Sequence, residues 1–179
     1  MSKILRKLAV TAVATMALGG TTLAASGTAS ADTSYHCRTS SHSVDNPAYS
    51  GALPDNFDFT VKLCAKRSGG YISSYAKISW DGPYAQQTYN ENTFDTVRFH
   101  LQTKKSVSGP DKVVQYGNYT GLWYALDHAS EYGNGSYETG TLKHKAGSSR
   151  YLADGYIQID WNNDGRGYRN TYFSASPTV

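Results

Sequence analysis

The sequence predicts an all-β chain: a single antiparallel β-sandwich, or a barrel, of about eight strands with one disulfide. Three observations lead there. Apolar and polar residues alternate with period two over several long runs. Turn-forming clusters of Gly, Ser, Asn and Asp separate those runs. Aromatic residues, above all 15 tyrosines, supply bulk in a chain poor in Ile, Leu and Val, because a Tyr ring packs like Phe while its hydroxyl reaches water or a partner.

The elements follow in chain order. Residues 32–55 read as an extended N-terminal segment containing a strand at 35–39, ahead of a β-sandwich domain over 56–179. Phe57-Asp58-Phe59-Thr60-Val61-Lys62-Leu63 alternates strictly and opens the first long strand. Ser68-Gly69-Gly70 turns it into a second run, 71–80, with Ile72, Ala76, Ile78 and Trp80 on one face. Residues 94–103 place Val97, Phe99 and Leu101 inward and Arg98, His100 and Gln102 outward. Ser108-Gly109-Pro110-Asp111 turns that run into 112–119. Leu122, Ala125, Leu126 and Ala129 have helical spacing, so a short helix fits 121–129. Residues 137–144 and 151–161 are expected to form another hairpin across Gly147-Ser148-Ser149, with Ile157, Ile159 and Trp161 on one face. Asn162-Asn163-Asp164-Gly165 then turns into a last strand at 168–173.

Cys37 and Cys64 are the two cysteines, and together they predict a disulfide. Cys64 shares its strand phase with Lys62 and Lys66. The bond is therefore expected on the outer face of that strand, clamping the N-terminal segment over it.

The formal charge of +3 lies entirely at the start of the chain. Lys3, Arg6 and Lys7 precede a long uncharged stretch that ends in Ala29-Ser30-Ala31. This is the pattern of a secretory signal peptide over residues 1–31. Without that segment the chain is formally neutral, which argues against a nucleic-acid binder working by bulk charge. The apolar stretch is too short and too rich in Gly and Thr for a stable membrane anchor. An extracellular destination follows. The leader resembles those of actinobacterial secreted proteins. That resemblance implies a secreted bacterial protein, in a group that includes protease inhibitors, carbohydrate-binding modules and subunits of antagonistic complexes.

Chemistry-bearing patterns are sparse. Asp160-x-Asn162-x-Asp164-Gly165 matches the first half of a calcium loop, in which alternate oxygens converge on a hard cation. The twelfth position is Thr171 rather than Glu, and a hairpin turn explains the same residues. Asp127-His128-Ala129-Ser130-Glu131 reads as a solvated polar loop. His36, His42, His100, His128 and His144 are scattered, and no nucleophile elbow or zinc motif is present. No metal, cofactor or catalytic set is expected. The carboxylates of Asp81, Glu91, Asp127, Glu131 and Glu138 keep a glycan hydrolase as a minor alternative, since such pairs are defined by distance in space.

Aromatics in connecting segments are the most suggestive feature. Tyr84 and Tyr89 form one group; Tyr119, Trp123, Tyr124 and Tyr132 form another, among Asn, Gly, Ser and Thr. Tyr beside small polar residues makes adaptable recognition surfaces. These six residues are the expected binding surface of a non-enzymatic extracellular binding or adaptor protein. A protein partner is preferred, also by strand addition at a sheet edge. A carbohydrate-binding module is the alternative, because the same rings can stack on sugars. Lys62, Lys66 and Arg67, with Lys104 and Lys105, mark a candidate local basic patch.

Overall fold

The computed structural model describes residues 34–47, 55–83, 93–129, 133–162 and 164–179. Among them are nine strands and one helix: β1 His36–Val44, β2 Phe57–Ser68, β3 Tyr71–Asp81, β4 Phe94–Lys105, β5 Lys112–Tyr119, α1 Gly121–Asp127, β6 Gly135–Glu138, β7 Leu142–Lys145, β8 Tyr151–Trp161 and β9 Arg169–Tyr172. They form two antiparallel sheets. Sheet A runs β1-β2-β3, and both β6 and β7 pair along β3. Sheet B runs β5-β4-β8-β9. The strand path does not close on itself, so the barrel alternative falls away.

Period-two patterning fixes the inward faces. On β2, Phe57, Phe59, Val61, Leu63 and Ala65 are buried; on β3, Ile72, Ala76, Ile78 and Trp80 are. Val97, Phe99 and Leu101 of β4 and Ala153, Ile157, Ile159 and Trp161 of β8 are buried in sheet B. Nearly all of them belong to one hydrophobic cluster fed by both sheets. Trp161 lies 5.0 Å from Phe94 and 6.1 Å from Phe57, joining β8 to strands of both sheets. The helix adds Leu122 and Leu126, one turn apart and fully buried, as the 121–129 spacing predicts.

Gly69 and Gly70 form the two-residue β2–β3 turn, with φ of 56° and 78°. Both values lie in the left-handed region that a tight hairpin of this kind requires and that Gly adopts without steric cost.

Two expectations need correction. The N-terminal strand is not confined to 35–39: β1 is nine residues long and pairs with β2 along its whole length. The segment 137–144 is not one strand hairpinned to 151–161. It is two short strands, broken at Thr139, Gly140 and Thr141, and both pair with β3 in sheet A. The backbone of Ala76 explains the break. Thr139 bonds to it twice, through its own N–H and through its hydroxyl oxygen, at 2.9 Å each. The chain then crosses to sheet B through the 147–149 turn.

The Cys37–Cys64 disulfide is formed, with an S–S distance of 2.03 Å. The two residues are direct cross-strand partners, 4.1 Å apart at Cα, the spacing of the closer kind of antiparallel pair. Cys64 keeps the outward phase of Lys62 and Lys66, as expected, yet it has no exposed surface. Tyr75, its partner on β3, meets Tyr35 edge to face at 4.8 Å beside the bond. The bond joins two strands of one sheet rather than strapping a loose segment across a strand. It fits an oxidising compartment. No helix among the described residues is long and apolar enough to cross a membrane.

Candidate functional site

Register places four rings in a row across the outward face of sheet B. His100 on β4 opposes Tyr156 on β8, and Tyr156 opposes Tyr172 on β9. Tyr116 on β5 sits diagonally beside His100, since its direct partner is Gln102. The successive ring centroids lie 5.2 Å (Tyr116–His100), 4.7 Å (His100–Tyr156) and 5.0 Å (Tyr156–Tyr172) apart. The first two pairs are within 24° of parallel. Coplanar rings cannot approach so closely, so these stand on edge and stack through their faces. The column presents ring edges and hydroxyls to solvent. Tyr116 and Tyr172 at its ends are each 62% exposed.

A polar row runs beside the column. Arg98 Nε donates to Gln158 Oε1 at 2.7 Å, Gln158 Nε2 to Asn170 Oδ1 at 2.9 Å, and Asn170 Nδ2 to the Tyr172 hydroxyl at 3.2 Å. The Arg98 guanidinium also lies 4.3 Å over the Tyr168 ring. On the other flank Lys104 pairs with Asp154 at 2.5 Å, and His100 Nδ1 lies 2.6 Å from Asn118 Oδ1. Burial raises the Tyr156 hydroxyl above its ordinary pKa; Tyr172 adds to the rise, and Arg98 and Lys104 oppose it. The face is flat, internally bonded and aromatic.

The six aromatics predicted from the sequence divide into three groups. Tyr84, Tyr89 and Tyr132 lie outside the described residues. Tyr119 ends β5 opposite the buried Phe99 and packs partly against the core. Its hydroxyl pKa is raised by burial first and by Tyr137 second. Trp123 and Tyr124 project from α1, 41% and 66% exposed, with Tyr124 stacked 3.9 Å from His128. The sheet B column was absent from that set. Its sequence signal is an aromatic residue in the outward phase of a strand, such as Tyr156 between the buried Gly155 and Ile157.

In the candidate calcium loop Asp164 meets residues that follow it in the chain. Asp164 Oδ1 accepts from the Arg166 N–H at 2.8 Å, and Asp164 Oδ2 pairs with Arg169 at 3.2 Å. Among the described residues no group of three or more His, Cys, Asp or Glu side chains converges as metal ligands would. The expected basic patch is redistributed. Arg67 takes the inward phase and donates to the carbonyls of Gly147 and Ser149, and Lys104 is paired, so neither is available as a free cation.

Compared with protein-family models, curated proteins and solved structures, the chain finds no match in any of the three.

Proposed function

We propose that the two sheets pack as the layers of a β-sandwich and that the protein is a secreted, non-enzymatic binding or adaptor protein. Its partner in this reading is another extracellular protein, docked on the outward face of sheet B. The single supporting observation is the four-ring column with its polar row. Tyr and Arg are the residue types that most often dominate protein interfaces, and here both are held before any partner arrives. Holding them in advance reduces the entropy lost on docking. A sugar platform needs free ring faces. In this column both faces of His100 are covered by tyrosines, which favours a protein partner over a glycan at this face. Formal neutrality after residue 31 leaves shape and hydrogen bonding, rather than steering by net charge, as the source of affinity. Trp123 and Tyr124 offer a second exposed contact.

The test is capture from native culture fluid on the immobilised protein, with the retained protein identified by mass spectrometry. The Tyr116→Ala/Tyr172→Ala variant should lose that partner. Trp123→Ala/Tyr124→Ala should weaken capture less. Undiminished capture by the sheet B variant would remove the proposal.

A further inference from the structure

A second surface lies on sheet A, at the end of its outward face beyond the disulfide. Lys66 on β2, Ser73 on β3 and Lys143 on β7 are consecutive cross-strand partners, so their side chains share one row on one face. Neighbouring strands are about 4.8 Å apart, which sets the two lysines on either side of Ser73 within reach of a common ligand. The next row adds Tyr71, partnered with Lys145. Together with Tyr35, Ser68 and Thr141 they surround a depression of about 550 Å3. Sites for small molecules span about 300–1,000 Å3, so this is more than a single inorganic ion requires.

Three features of this depression call for a ligand. Among the described residues Lys143 forms no ion pair, and Lys66 meets only the Tyr35 ring, 4.5 Å from its ammonium. Among the described residues no carboxylate lines the depression. The closest in register is Glu138, which opposes Lys77 on the far side of Tyr75. Ser73 is only 8% exposed and lines the depression between the two lysines. Tyr71 is 50% exposed, and among the described residues its ring meets no other ring, unlike the column on sheet B.

Two ammonium groups, a hydroxyl between them and an open aromatic face match the chemistry of an acidic sugar. The anion takes the lysines and Ser73, the sugar hydroxyls take Ser68 and Thr141, and the apolar face of the ring lies on Tyr71. We propose that this depression binds an anionic saccharide through its carboxylate or phosphate group. The site is separate from the sheet B face. The protein would thereby hold an acidic glycan on one sheet and a protein on the other. A nucleic-acid track would need a longer run of cations and several open rings.

The test is affinity electrophoresis through native gels containing polygalacturonate, phosphorylated dextran or neutral dextran. Retardation is expected with the carboxylate or the phosphate polymer, whichever supplies the anion, and not with dextran. Lys143→Gln should weaken it about tenfold, the usual scale of one charge-assisted hydrogen bond. Ser73→Ala and Tyr71→Ala should each weaken it by about fivefold. Lys112→Gln makes the same charge change on β5 and should leave retardation unchanged. The Tyr116→Ala/Tyr172→Ala variant should also be retarded like the wild type, which keeps this test independent of the protein-partner reading. Three results would overturn the proposal: no retardation by either acidic polymer, equal loss in Lys112→Gln and Lys143→Gln, or equal retardation by a single-stranded oligonucleotide.

Discussion

The outward faces of the two sheets tie their strands together in different ways. On sheet A the tie is covalent: Cys37 and Cys64 join β1 to β2, with Tyr35 and Tyr75 meeting beside the bond. Around it the face is mostly Ser, Thr and Lys, with Thr39, Lys62, Lys77 and Glu138 in one row. On sheet B the tie is a stack of rings crossing all four strands, and its polar side chains bond to one another. A covalent clamp needs only two positions, and beyond it Lys66 and Lys143 make no ion pair among the described residues. A ring column uses a position on every strand and leaves a stiff surface with its polar groups already satisfied. The first arrangement suits a small charged ligand and the second a broad flat partner.

Removing the clamp should have the largest effect. The disulfide closes a sequence separation of 27 residues. The Cys37→Ala/Cys64→Ala variant should lose about 3 kcal/mol, on the chain-entropy account of such loops. Denaturant unfolding of the oxidised protein and the variant measures it. A loss smaller than that caused by any one ring of the column would reverse the ranking of the two faces.

Next comes a position beneath the column. Gly155 precedes Tyr156 on β8 with its α-carbon toward the core. A β-carbon there would lie 2.7 Å from the Phe99 ring and 2.8 Å from the His100 carbonyl oxygen. The backbone oxygen cannot swing away as a side-chain tip would. Gly155→Ala should cost roughly 1–3 kcal/mol and disturb the His100–Tyr156 stack directly above. Thermal unfolding reads the first effect, and the ring-current shift of the His100 protons reads the second. An unshifted His100 would show that the column is held from above, by its own stacking, rather than by the packing below.

How far these faces were legible in the sequence follows from what local patterning records. β2, β3, β4 and β8 alternate cleanly, so their inward faces can be read without tertiary information. The disulfide follows from a sequence that holds just two cysteines. Strand partners are another matter. The assignment of β6 and β7 to β3 depends on the paired hydrogen bonds between Thr139 and Ala76, 63 residues apart, and no periodicity marks them. The column has the same origin. His100, Tyr116, Tyr156 and Tyr172 meet only because the β5-β4-β8-β9 register brings them into line. Each ring alone is an ordinary outward aromatic. The Lys66-Ser73-Lys143 row is hidden for the same reason, and sequence proximity instead groups Lys66 with Arg67, which points the other way.

Within the column, Tyr156→Ala should cost about 1 kcal/mol beyond the loss of buried area, because it removes the stack with His100 and the tilted contact with Tyr172. Tyr116→Ala removes one stack at an exposed end and should cost less, by equilibrium unfolding. Equal costs would mean that the column is a set of independent pairs with no special middle.

The smallest effects concern the two tyrosines that mark the faces, Tyr75 on sheet A and Tyr156 on sheet B. Both hydroxyls are raised above the ordinary value of 10.0, chiefly by burial. Glu138 pushes Tyr75 further up, whereas Arg98 and Lys104 pull Tyr156 back down. A raised tyrosine pKa means that folding favours the neutral form. Its contribution to stability is therefore complete below pH 10.0 and declines as pH rises through the folded-state pKa. The two faces then respond oppositely to loss of one neighbouring charge. Glu138→Gln should lower the Tyr75 pKa toward its ordinary value, because it removes a like charge from the phenolate. Arg98→Gln should raise the Tyr156 pKa further, because it removes a stabilising cation. Site-resolved NMR titration of the ring carbons follows each residue separately. Shifts of the same sign would mean that changes in burial, rather than the charge next to each ring, dominate both substitutions.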